Sequence, residues 1–307
     1  MSKLNLILII LSLTIVSPSS MKFLTDTQSN LKISYQGVPG SYSFITSKTL
    51  YPTAELISHS TFKEAMTTVE VGSADFAVIP IENSNAGRVQ DVHLLLPSMN
   101  LYIVDEYYLP IQHQLLGIKG SKLEDITVAY SHPTALAQSS KFLSEHGIAT
   151  KNKLNTAIAC VEVANEGDKT KAAVASSLAA EMYNMEILAK NIQNDPDNRT
   201  RFIILARSID VPEYSKEKEY ITSLLVELQE EWGFTYDVMI DIINSFELKI
   251  RKQELYPIDE ENKHAKYYLE ILSHSSEKPF KLAFQYLSKY SQNVKLLGVY
   301  EAKPGFY

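Results

Sequence analysis

Short apolar runs alternate with amphipathic stretches along most of the chain, and this alternation predicts an α/β layer fold. Extended runs at 31–35, 126–130 and 172–175 are each followed by a polar turn or cap and a helical stretch, and the apolar run 76–81 leads directly into the polar segment 82–87. Thr61-Phe62-Lys63-Glu64 has capping-box spacing, and Phe62, Ala65, Met66 and Val69 then share one helical face before Gly72. Two further extended segments, 101–111 and 112–118, read as a crossing between lobes. Ser131-His132-Pro133 caps a helix expected over 134–146 and closed by Gly147. After an extended 148–154, Asn155-Thr156 caps a helix over 157–164, and Ser176-Ser177 opens a short one. The turn Asn194-Asp195-Pro196-Asp197 leads into Asn198-Arg199-Thr200-Arg201-Phe202 and a buried strand ending near Ala206.

Residues 208–219 carry charge and a proline but no apolar period, and are read as a linker. Beyond them the order is strand 221–228, helix 236–246, strand 248–255, strand 266–272, helix 280–290 and strand 294–300. This βαββαβ order is the ferredoxin-like arrangement, which commonly pairs with a second copy.

Composition narrows the function classes. A chain of 307 residues with 45% hydrophobic and 21% charged positions has room for two or three real cores. A net charge of -7 without a basic block argues against nucleic acid as a partner. One cysteine, Cys160, excludes an internal disulfide, and the seven histidines lack short ligand spacing, so no metal is assigned. Residues 1–30 form an N-terminal extension. Its apolar run from Leu6 to Val16 is short for a stable membrane span and suits either a targeting segment or an upstream start ahead of Met21.

The candidate chemistry lies at the strand ends. Gly37-Val38-Pro39-Gly40-Ser41-Tyr42-Ser43 places Ser41 and Ser43 at a helix N-terminus, where free backbone N–H groups suit an anion. Glu82, Asn83 and Ser84 stand just past an apolar strand, where open α/β sheets place ligands. Ser131, Gln138 and Thr156 occupy equivalent positions in the next α/β stretch. If these helix ends converge, they form an anion cleft without a basic surface, with Arg201 as its full positive charge and Arg88 as a second.

With these motifs in view, the chain from about 33 to 300 resembles the prephenate dehydratase family. The matching residues are the Gly37 to Ser43 run, Ile79-Pro80-Ile81-Glu82-Asn83-Ser84, Tyr130-Ser131-His132-Pro133 with Gln138, Ala175-Ser176, and Asn198 to Phe202. The resemblance implies a two-lobed, periplasmic-binding-protein-like catalytic domain over 31–207, with the segment from Thr200 returning to the first lobe. It implies a linker at 208–219 and a regulatory ACT domain over 220–307. The implied reaction is the decarboxylating dehydration of prephenate to phenylpyruvate in phenylalanine biosynthesis, without cofactor. Thr200 is then expected to act on the leaving hydroxyl, with Glu82 behind it as proton source. Asn83, Ser84, Ser131, Gln138 and Thr156 position the substrate, Arg201 holds a carboxylate, and Phe202 meets the ring or the core.

Departures gather in the last domain. The family's effector motifs resemble Gly-Ala-Leu and Glu-Ser-Arg-Pro, whereas this chain has Gly233-Phe234-Thr235 and Glu254-Leu255-Tyr256-Pro257. Gly233 and Glu254 are therefore read as a degenerate effector site, with weak or absent phenylalanine inhibition. The monofunctional form is expected, since no chorismate-mutase helix is read ahead of Ile33. A homodimer or homotetramer through the ACT domain is expected, as is a cytoplasmic location, or export or an organelle if the extension is a targeting segment. Two alternatives stand beside the main reading: an arogenate dehydratase, and a non-catalytic two-lobed anion-binding module.

Overall fold

The computed structural model describes residues 31–229, 233–256 and 265–305; the N-terminal extension and Pro257 lie outside the described residues. The first lobe opens with β1 (Lys32–Gln36), α1 (Tyr42–Leu50), β2 (Glu55–His59), α2 (Phe62–Glu70) and β3 (Phe76–Asn83). β1 lies between β2 and β3, parallel to both, so α1 and α2 are crossover helices. The capping box of α2 forms as the spacing predicts: Thr61 Oγ1 accepts from Glu64 N, and Glu64 Oε2 accepts from Thr61 N. β4 (Gly87–Arg88) folds back on β3, and α3 (Gln90–Leu95) leads to β5 (Tyr102–Pro110).

The chain then crosses to a second lobe. Its elements are β6 (Gln114–Gly117), β7 (Val128–Ser131), α4 (Pro133–Gln138), α5 (Ser140–Glu145), β8 (Ala149–Asn152), α6 (Thr156–Glu166), β9 (Lys171–Ala175), α7 (Ser177–Met182) and β10 (Glu186–Ala189). They make a five-stranded sheet in the order β10-β6-β9-β7-β8.

The single helix expected over 134–146 is two short ones, broken at Ser139. The turn at Asn194 causes the break. Asn194 donates to the carbonyls of Ala137 (3.0 Å) and Gln138 (2.6 Å), and its Oδ1 takes the N–H of Lys141 (3.0 Å) that an unbroken helix would give to Ala137.

β11 (Arg199–Ala206) returns to the first lobe and lies between β3 and β5, antiparallel to both. The segment up to Glu219 has no helix or strand but is docked, with Tyr214 packed on Tyr220 and His274. β12 (Tyr220–Glu227), α8 (Tyr236–Ser245), β13 (Lys249–Leu255), β14 (Lys266–Leu272), α9 (Lys278–Tyr290) and β15 (Asn293–Glu301) form the C-terminal unit. Its strand order is β13-β14-β12-β15, and α8 and α9 seal an apolar core around Leu224, Met239, Ile243 and Leu269.

This sheet runs on into the first lobe as one ten-stranded sheet, joined where Gly298 of β15 pairs with Ile103 of β5. A Cβ at Gly298 would lie 2.0 Å from the Ile103 carbonyl oxygen, so the close approach requires glycine. β11, buried in the middle of the first lobe's sheet, thus has the interlobe cleft on one face and the C-terminal junction on the other.

Candidate active site

Between the lobes lies a cleft of about 610 Å³. The N-terminal ends of α1 and α6, one from each lobe, meet there: Ser41 caps α1 by accepting from Phe44 N, and Asn155 caps α6 by accepting from Ile158 N. The uncapped N–H groups of those first turns favour an anion. Ser176 does not join them. Its hydroxyl donates to Gly40 O at 2.9 Å, and Tyr183 OH donates to Pro39 O at 2.6 Å, so the start of α7 locks the second lobe to the Gly37 to Ser43 loop.

Alternation along the strands decides which side chains reach the cleft. β11 directs Thr200 and Phe202 into it, and β3 directs Pro80 and Asn83 there. A bulge at Ile81, where Phe202 opposes Pro80 and Arg201 opposes Glu82, keeps Thr200 opposite Asn83.

Asn83 is held by groups that fix the direction of its amide. Its Oδ1 accepts from Asn85 N (3.0 Å) and Ala86 N (2.9 Å), which can only donate, and from Gln138 Nε2 (2.9 Å). Its Nδ2 therefore faces Asn198 Oδ1 (2.8 Å), Arg199 O (2.9 Å) and Thr200 Oγ1 (3.0 Å). With Gln138 Nε2 committed, Gln138 Oε1 faces His113 Nε2 at 2.9 Å, and that nitrogen must carry the proton. Nδ1 is then an acceptor for Tyr42 OH at 2.8 Å. Burial holds the His113 pKa below its ordinary value, which outweighs the opposing bond from Gln138 and agrees with a neutral ring.

The result is one chain of bonds with a single direction, from Tyr42 through His113, Gln138 and Asn83 to Thr200. Its last acceptor is the Thr200 oxygen. Among the described residues no protein acceptor takes the Thr200 hydroxyl hydrogen, which is left to donate into the cleft.

Seven sequence-predicted residues line the cleft: Thr200, Asn83, Gln138, Thr156, Phe202, Ser41 and Ser43. Four others require correction. Arg201 points to the opposite face and is fully buried, with Nε 2.7 Å from Glu106 and Nη1 2.7 Å from Glu270, so it has no reach to a substrate carboxylate. Glu82, one residue from Asn83 on the strand, likewise turns away and pairs with Lys252 of β13 at 2.5 Å, so it does not stand behind Thr200. Ser131 is the last residue of β7 rather than a helix cap; it is fully buried and donates to Val174 O at 2.6 Å, while His132 caps α4. Ser84 is exposed and accepts from Arg199 N at 3.0 Å, which pins the end of the β3–β11 ladder.

The two effector residues are also separated. Gly233 lines a cavity of about 350 Å³ with Phe234, Val238, Lys289 and Tyr290, whereas Glu254 sits at the junction, paired with Arg88 and Lys252.

Tyr42 and His113 are site residues that the sequence motifs do not mark as such. The polar triplet Gln112-His113-Gln114, set between apolar runs at the crossing between lobes, was the available signal.

Residues 33–210 match the family model described as prephenate dehydratase. The chain is similar to "Arogenate dehydratase/prephenate dehydratase 1, chloroplastic" of Arabidopsis thaliana, with 34% identity over 89% of this chain and 72% of that protein. It is 33% identical to the "Bifunctional N-acyl-homoserine lactone acylase/prephenate dehydratase" of Komagataeibacter europaeus, over 89% of this chain and 96% of the relative. The fold is that of the prephenate dehydratase of Arthrobacter aurescens solved in complex with L-Phe, at a TM-score of 0.82 and 24% identity, covering 90% of this chain and 92% of that one. Among the described residues no helix is long and apolar enough to cross a membrane. A family match over most of the two-lobed region, on a cleft whose motif residues converge as described, leads to one conclusion: the chain belongs to the prephenate dehydratase family, whose enzymes are lyases.

Proposed function

We propose that the cleft carries out the decarboxylating dehydration of prephenate to phenylpyruvate. In this reaction the ring carboxylate leaves as carbon dioxide, its bonding electrons enter the ring, and the ring hydroxyl departs as hydroxide that takes one proton from solvent to become water. The difficult part is the departure of hydroxide, and a hydrogen bond that strengthens as charge develops on that oxygen lowers the barrier. The observation that carries the proposal is the orientation of Thr200: Asn83 donates to its oxygen, so its hydrogen is free for the leaving group. Every side chain from Tyr42 to Thr200 in this chain of bonds is uncharged, so Thr200 acts as an oriented hydrogen-bond donor rather than the end of a carboxylic-acid relay. Phe202 and Ile111 offer an apolar wall to the ring as it becomes aromatic.

Purified protein should convert prephenate to phenylpyruvate, followed by the absorbance of the product. Arogenate, which carries an amine on the same side chain, is the alternative substrate, and relative kcat/KM on the two decides between them. A chain that binds prephenate but releases no phenylpyruvate would be the anion-binding module instead. We assign the C-terminal unit to assembly, as an ACT domain pairing two or four copies. With Phe234 against the C-terminal cavity and Glu254 elsewhere, a phenylalanine titration should leave activity little changed.

A further inference from the structure

With Arg201 sealed away, the positive charge facing the cleft must be found elsewhere. Among the described residues lining it, Arg88 of β4 is the only lysine or arginine. The two histidines there do not substitute for it: burial lowers the pKa of both His113 and His132. The Arg88 side chain is about one third exposed (32%), and among the described residues only its Nη1 is engaged, by Glu254 Oε2 at 3.3 Å and Leu255 O at 3.2 Å. Both partners belong to β13. Glu254 is itself shared with Lys252 at 3.5 Å, and Lys252 with Glu82, so an alternating row of charges runs from the back of β3 to the rim of the cleft and ends on Arg88.

We propose that Arg88 binds a substrate carboxylate and that Glu254, across the junction on the C-terminal unit, is the positioning residue that holds it there. The inference rests on the proposed reaction, which also selects the carboxylate. A cation on the ring carboxylate would hold the charge that has to flow into the ring and would oppose decarboxylation. Arg88 therefore takes the side-chain carboxylate, which the product keeps. Because this interaction is the same in substrate, transition state and product, its loss raises KM and leaves kcat nearly unchanged.

The test is a double-mutant cycle on the full chain, read by steady-state kinetics with prephenate and by calorimetry of phenylpyruvate binding. Losing a charge-assisted hydrogen bond of this kind corresponds to about 10- to 100-fold in affinity. Arg88→Gln should raise KM and the phenylpyruvate Kd together by that factor, with kcat within about threefold, and Arg88→Lys should recover part of the loss. Glu254→Gln should raise both by a smaller factor, and should add nothing in the Arg88→Gln background. An unchanged Kd in Arg88→Gln overturns the carboxylate assignment and leaves the dehydratase reading intact. Equal effects of Glu254→Gln with and without Arg88 overturn the positioning role. A wild-type chain inactive on both prephenate and arogenate overturns the functional reading, and this inference with it.

Discussion

The two faces of β11 solve different problems with neighbouring residues. Facing the cleft, Thr200 is reached by a directed row of neutral groups and keeps one hydrogen unspent. On the back, Arg201 lies among Glu106, Glu270 and Arg251, all nearly or fully buried, with Tyr300 OH accepting from it at 3.1 Å. Two carboxylates and two guanidinium groups neutralise one another there and draw β5, β13, β14 and β15 onto one strand. Charges saturated in this way bind no ligand. They fix β11 in place, so that the hydroxyl one residue earlier is held without a charge of its own beside it. The comparison separates chemical capacity from formal charge: the residue that looks more reactive in the sequence is the structural one.

The largest effect should come from the cleft face. Thr200→Ala should lower kcat by about 10² to 10³-fold, the range for removing one hydrogen-bond donor aimed at a developing negative oxygen, with little change in unfolding midpoint. Thr200→Ser should retain most of the activity.

The back face should answer in stability instead. Arg201→Met leaves Glu106 and Glu270 without their central partner and should cost about 3–5 kcal/mol in denaturant unfolding. The kcat of the molecules that remain folded should change only a few-fold. A loss of kcat larger than that of Thr200→Ala would break the division between the faces.

Acid should act on the same junction. His93 is buried against Tyr256 and Tyr268, and burial, followed by the charges of Lys252 and Arg88, lowers its pKa from 6.5 to about 4. Between those values the unfolded chain binds a proton that the folded chain refuses. The contribution of His93 is thus complete above pH 6.5 and is lost as the pH falls toward 4, by as much as ~3 kcal/mol. Unfolding free energy measured across this window should fall, and His93→Gln should flatten the fall.

Much of this organisation is readable from residue order. The capping box at Thr61 to Glu64, the βαββαβ order of the C-terminal unit and the return of the Thr200 segment to the first lobe follow from local spacing and motif resemblance. Arg201 and Glu82 leave the cleft for one reason. They are motif neighbours of Thr200 and Asn83, yet successive residues of a strand face opposite sides. Once Thr200 is assigned to the cleft, Arg201 is assigned to the back. Ser131 failed because the strand runs one residue further than its apolar run, which exchanges a cap for a buried cross-strand bond. The break at Ser139 and the link from His113 to Gln138 depend on contacts between segments distant in the chain, and no local pattern carries them.

Asn83 orients the Thr200 hydroxyl, and Asn83→Asp tests this with almost no change in side-chain shape. The introduced carboxylate keeps an acceptor for Asn85 N, Ala86 N and Gln138, but turns a second acceptor toward Asn198 Oδ1, Arg199 O and Thr200 Oγ1; the Arg199 carbonyl loses its donor, and the Thr200 hydrogen is drawn back from the cleft to meet the carboxylate. With the hydrogen drawn back, kcat at saturating prephenate should fall by about 10- to 100-fold, the cost of losing a hydrogen bond to a developing charge. A variant that folds and keeps the wild-type kcat would contradict it.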